Sequence, residues 1–164
     1  MKRLWVAYIL CLPAWSGELR FSLRSDPRTL DPLAVADQSS DAVRYLTTAR
    51  LLRQHPKTGA LQPEMARAWA LRDQNRTLEL QLRGGVRFSD GSPFTARDVV
   101  YTLQTLLDGK KKLAAGEELR SLPIAQIEES GPLQVRIRLR EPVAAPELYL
   151  AEIPIVRAES ATAG

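Results

Sequence analysis

The sequence predicts a mixed α/β fold, and three patterns predict it. Residues 77–83 and 133–139 alternate apolar and polar side chains at period two, as strands with one buried and one wet face do. Ala96, Val99, Val100, Leu103, Leu106 and Leu107 recur at helical spacing, giving an apolar stripe suited to lie on a sheet. Two turn dipeptides, Gly84-Gly85 and Asp90-Gly91, punctuate the chain between strand and helix. Thr77–Leu107 is therefore the organising stretch. A strand is followed by a glycine turn that lets Val86-Arg87-Phe88 fold back beside it as a hairpin. A second turn follows, and then a helix with Thr95 as its cap and Asp98 reaching back as in a capping box.

The chain has 164 residues, enough for one compact domain with a real core. Hydrophobic content of 45% and charged content of 26% exclude a disordered or multispanning chain. The net charge of +4 includes Lys2 and Arg3, and without them 21 basic residues face 19 acidic ones. No nucleic-acid footprint follows, and none is expected as a partner. The one run of like charge, Lys110-Lys111-Lys112, follows a helix that should end at Asp108-Gly109, where lysines favour the negative helix end and stay solvated.

In chain order, Met1–Ser16 has the form of a secretory leader. Lys2-Arg3 precede an apolar run through Leu12, then Pro13 and a small-x-small site at Ala14-Trp15-Ser16. The run is too short to anchor in a bilayer, so the mature chain, residues 17–164, should be exported. Cys11 is the single cysteine and follows Leu10 rather than a small residue, so no lipid anchor is expected, nor any disulfide. Residues 19–24 alternate as a strand, and Asp26-Pro27 and Asp31-Pro32 end it. Asp41 to Leu52 reads as a helix capped by Ser40 or Asp41, with Ala42, Tyr45, Leu46, Ala49 and Leu52 on one face. Pro63 suits the first turn of a short helix, and Trp69 would plug the core. Asp73-Gln74-Asn75 reads as a turn, which also explains the short acceptor-like Asn75-Arg76-Thr77 without a sugar. Gly116–Arg120 is polar and indistinct. Ile124–Glu128 and Leu133–Leu139 read as paired strands, Glu141-Pro142 opens a helical piece through Leu150, and Ile153–Val156 is apolar and extended.

Residues 82–103, LRGGVRFSDGSPFTARDVVYTL, resemble the most characteristic segment of the family 5 extracellular solute-binding proteins, the peptide-capturing components of bacterial ABC importers. Arg83, Gly85, Val86, Phe88, Asp90-Gly91, Pro93, Phe94-Thr95-Ala96 and Asp98-Val99-Val100 match in order and spacing. Pro63, Ala66 and Trp69 are similar to the family's P-x-x-A-x-x-W segment, and the likeness runs from about Leu19 to Arg157. It implies the N-terminal lobe of a two-lobed periplasmic binding protein fold, incomplete in this chain. It implies a peptide or other small solute as ligand and an ABC importer permease as partner, with the membrane met only through that permease. By position, Ala36, Asp37, Gln38 and Ser39 match a backbone stretch that contacts bound peptide, and so become the implied ligand-binding residues. The family's main carboxylate for the peptide amine belongs to a later part of its pattern.

Enzymatic chemistry has little support in the residues. His55 is the single histidine and lies in a polar turn, and no Gly-x-Ser-x-Gly elbow is present. Asp26, Asp31, Asp37 and Asp41 match no metal-ligand spacing, and Asp-Pro steps and helix caps explain them. No phosphate-cradling glycine loop follows a strand, so neither a cofactor nor a metal is expected. Arg83, Arg87 and Arg97 suit wet faces and need no ligand. The alternatives are a truncated, transport-inactive piece or interaction module of the same family, in which Leu148–Val156 would lack part of their cover, and an exported hydrolase.

Overall fold

The computed structural model describes residues 20–34, 37–111 and 113–158. The expected leader at 1–16, Cys11, Ala36, Lys112 and residues 159–164 lie outside the described residues. The architecture is mixed α/β. In chain order come α1 (Gln38–Thr47), β1 (Leu52–Gln54), β2 (Leu61–Pro63), β3 (Ala66–Arg72), β4 (Thr77–Leu82), α2 (Ala96–Leu107), α3 (Ala114–Ser121), β5 (Ile124–Gly131), β6 (Gln134–Leu139) and a 3-10 helix, Pro146–Leu150. β1 and β2 form a small hairpin, and the other strands form an antiparallel sheet in the order β3-β4-β6-β5.

The period-two runs sit where expected. Leu78, Leu80 and Leu82 of β4 and Val135, Ile137 and Leu139 of β6 are all buried, while Glu79, Arg136 and Arg138 stand on the opposite face. Those charges pair across the strands, Arg136 with both Glu79 and Glu128. β3 enters β4 through a turn in which Asp73, Gln74 and Asn75 all take positive φ, and Thr77 Oγ1 donates to Asp73 Oδ2 at 2.7 Å.

The expected hairpin of Val86–Phe88 on β4 does not form. β4 already has β3 on one side and β6 on the other, and even its end is taken: Leu82 N–H donates to Leu133 O and Arg83 N–H to Met65 O. With no free edge left, Val86–Phe94 closes on itself. Phe94 N–H donates to Val86 O, Phe88 N–H to Ser92 O, and Gly91 takes φ +84° at the tip. Phe88 and Phe94 meet edge to face at 6.2 Å.

α2 follows as predicted and lies on the sheet, with Ala96, Val99, Leu103 and Leu106 fully buried. Asp98 Oδ2 accepts the Thr95 backbone N–H at 2.8 Å, and Gly109 at φ +71° ends the helix. The polar stretch after it is α3, which the sequence pattern does not reveal. Leu119 is buried, and Gly116 brings the helix so close to α2 that a Cβ there would sit 3.0 Å from Leu106 Cδ2. Lys111 of the linker is not simply solvated but pairs with Asp31.

Several other expectations change. Phe21–Arg24 form no strand, and Phe21 is exposed; alternation makes a strand only where a neighbouring backbone supplies the ladder. α1 starts three residues early, because Asp37 Oδ1 accepts both the Ser39 and Ser40 N–H groups. It also ends early. Ala49–Leu52 run extended against Ala151–Ile155, with Ile155 N–H donating to Ala49 O and Glu152 N–H to Leu52 O. Leu51 and Leu52 are thereby buried without a helix, whereas Tyr45 (60% exposed) and Leu46 (52%) face outward. Pro63 ends β2 rather than opening a helix, since Met65 and Ala66 N–H groups bond to the carbonyls of Arg50 and Leu51 and hold that segment extended. Trp69 is a half-buried β3 residue opposite Leu80, packed on the edge of the core. The helical piece begins only at Pro146. Leu150, Ile153 and Ile155 are buried, and Leu148 is exposed.

Candidate functional site

A groove of about 390 Å³ opens between the end of α1 and the closed loop 86–94. Thr47–Ala49 form one wall and Ile155–Arg157 another, while Phe88, Phe94 and Met65 supply an apolar floor. Local sequence explains each part. The self-closed loop turns Phe88 inward, and pairing of Ala49 with Ile155 sets the two walls side by side.

The rim carries the charge. Arg157 Nη1 lies 2.8 Å from Asp90 Oδ2, and Arg87 Nη1 donates to Gly91 O at 2.7 Å. Asp90 Oδ1 accepts from Ser92 Oγ at 2.6 Å and from Ser92 N–H at 2.9 Å. The Ser92 hydroxyl first, then the Ser92 amide and the Arg157 charge, hold the Asp90 carboxyl below the usual carboxylate range. Both members of the Arg157–Asp90 pair remain about a third or more exposed, so a solute can reach them. An apolar floor under two guanidiniums and one carboxylate can take a small amphipathic solute and hold an anionic end of it.

Of the residues that the resemblance implies, Ala36 lies outside the described residues, and Asp37, Gln38 and Ser39 are not in the lining of this groove. Asp37 is the N-cap of α1 and also accepts the Arg28 N–H at 3.1 Å. The Ser40 amide leads the hydrogen bonds that lower its carboxyl. Ser39 is buried, its Oγ 3.1 Å from Ser25 Oγ, and Gln38 is exposed in the first turn. Pro32 is the point at which their loop reaches the groove. In the sequence Asp90 reads as a turn residue and Arg87 as a wet-face residue, and Arg157 carries no local mark of a role beyond its position. An arginine directly after a buried apolar run is the signal that could have found Arg157. Arg83 donates to the Glu64 carbonyl, and Arg97 is exposed on α2.

Nothing assembles a metal centre among the described residues. His55 Nδ1 accepts the Lys57 and Thr58 N–H groups and so caps its own turn. No helix of the described residues is long and apolar enough to cross a membrane.

The family model described as bacterial extracellular solute-binding proteins, family 5 Middle, matches residues 60–163. The chain belongs to this family. Among its relatives are the probable deoxycholate-binding periplasmic protein YgiS of Escherichia coli, 34% identical over 91 residues, and the periplasmic murein peptide-binding protein MppA of the same organism, 36% identical over 94. Those alignments take in 56% and 57% of this chain, but 17% of each relative's length. Both are named as binding proteins, not enzymes. The fold agrees. The structure of AgaA of A. tumefaciens R10 in complex with agropinic acid matches at a TM-score of 0.70 and 30% identity, over 81% of this chain and 27% of that one. Haemophilus influenzae OppA complexed with the peptide RPPGFSPFR matches at 0.67, over 81% and 29%, and at 20% identity it speaks to the fold alone. These structural neighbours are two-lobed periplasmic binding proteins, and the present chain corresponds in fold to a part of one.

Proposed function

We propose that this chain supplies one wall of the ligand cleft of an exported solute-binding protein, which captures a peptide or similar small solute and presents it to the permease of an ABC importer. The leader at residues 1–16 directs export, and residues 17–164 form the binding portion without a lipid anchor. One observation carries the reading: in a chain of this family, an apolar-floored groove bears the accessible Arg157–Asp90 pair on its rim. A solute carboxylate displaces Asp90 from Arg157, and an amine end is met by Asp90 itself. Ligand binding then favours a closed arrangement of lobes through its greater affinity for that state. The loop bearing Ala36, Asp37, Gln38 and Ser39 flanks the solute through backbone groups, because the Asp37 and Ser39 side chains are engaged locally. The names of MppA and AgaA, a murein peptide binder and a protein complexed with agropinic acid, support a small solute with anionic groups.

Isothermal titration with trialanine, and with its acetylated and amidated counterpart, tests the reading. Heat from the free tripeptide, reduced in Arg157→Gln and with the blocked peptide, is the expected result. Absence of heat from the unsubstituted chain overturns the claim that this groove holds solute by itself, and turnover of a generic ester or peptide substrate would put the hydrolase in place of the binding reading.

A further inference from the structure

We infer that Arg50 is the positioning residue of the groove, tying together three pieces of its wall without lining it. Arg50 is 4% exposed. Its Nε lies 3.1 Å from Glu152 Oε2, its Nη2 donates to Tyr45 O at 3.2 Å, and its guanidinium carbon stands 4.1 Å over the Tyr45 ring. Its backbone N–H donates to Glu64 Oε1 at 3.1 Å, and its carbonyl accepts the Met65 N–H at 2.9 Å.

Each of these partners leads to a groove residue. Tyr45 lies in the last turn of α1, which leads into Thr47–Ala49, and Met65 itself lines the floor. Glu152 begins the segment that ends in Ile155–Arg157. Glu152 takes φ +60°, a strained backbone for a residue with a Cβ. Its carboxylate holds that conformation from both oxygens, Oε1 accepting the Gln54 N–H at 3.0 Å and Oε2 facing Arg50. A residue whose task was merely to fill space would be apolar here, since a buried guanidinium is costly to desolvate unless its bonds are specified. Nη1 of Arg50 is buried with no hydrogen-bond partner among the described residues, so the site tolerates that cost while keeping the directional bonds. Lysine has no planar fork to serve Glu152 and Tyr45 together while stacking on the ring.

The consequence for ligand capture rests on the solute-binding reading above, whereas the claim about wall geometry does not. Amide hydrogen exchange on the full chain separates them. In Arg50→Met, the amides of Leu51, Glu152 and Ile155, which cross between the two walls, should lose protection about ten-fold or more while β4 and β6 keep theirs. Equal loss in both sets, or loss in neither, overturns the inference. Should Arg50→Met not fold, Arg50→Lys carries the same comparison, and wild-type protection at all three amides would refute the tie. Heat with trialanine from the unsubstituted chain reports on the solute-binding reading alone. In a chain that gives that heat, Arg50→Lys should weaken trialanine several-fold although residue 50 does not line the groove, and an unchanged affinity would count against the inference.

Discussion

Asp98 Oδ1 accepts the backbone N–H of Ala158 at 3.0 Å, across 60 residues of sequence. The same carboxylate closes the start of α2 on Thr95, so one buried side chain, 4% exposed, both begins the helix and fastens the segment that carries Arg157.

Asp98→Ala leaves the Thr95 and Ala158 donors without this acceptor and removes the cap. Its expected cost is about 2–3 kcal/mol, from a lost cap and an unmet buried bond. Urea denaturation checks this, and a midpoint equal to wild type would mean that water or a neighbouring group replaces the carboxylate.

The Asp90 carboxyl should titrate below its ordinary range, and Ser92→Ala should move it upward, because the Ser92 hydroxyl is the leading cause of the depression. The sign for stability follows. A depressed folded value means the ionised form is favoured on folding, so the contribution is complete above the unfolded value and fades as pH falls through the folded one. Carbon-13 NMR titration of the Asp90 carboxyl in the two proteins decides it. An unmoved midpoint in Ser92→Ala would show the hydrogen bond to be idle.

Leu80→Ala and Leu46→Ala, the same chemical change, should differ sharply. Leu80 is 1% exposed on β4 between β3 and β6, and its truncation should cost about 2–5 kcal/mol. Leu46 is 52% exposed on α1, and its truncation should stay within about 0.5 kcal/mol. Thermal unfolding of both variants tests the contrast, and a large loss at Leu46 would mean that α1 packs by its apolar side after all.

Much of this protein is determined by the sequence itself, where the physics is local. Thr95 and Asp98 sit three residues apart and cap α2 wherever the helix lies, and Asp73 and Asn75 tolerate the positive φ of their turn. The alternation in β4 and β6 and the stripe on α2 state which faces are buried. The motif around Phe88–Val100 likewise identifies the family.

Tertiary structure decided what depends on which backbone finds a partner. Val86–Phe88 could pair with β4 only if an edge were free, and β3 and β6 leave none. Leu51 and Leu52 continue a helical pattern from α1, yet Ala151–Ile155 captures their segment as extended chain and leaves Tyr45 and Leu46 outside. α3 stayed hidden because part of its packing on α2 is made at Gly116, a residue with no side chain for a hydropathy pattern to register. The groove belongs to the same class. Asp90 and Arg157 are distant in sequence and each has an ordinary local reason to be polar, so their 2.8 Å pairing comes into being only when the closed loop and the returning segment are packed together.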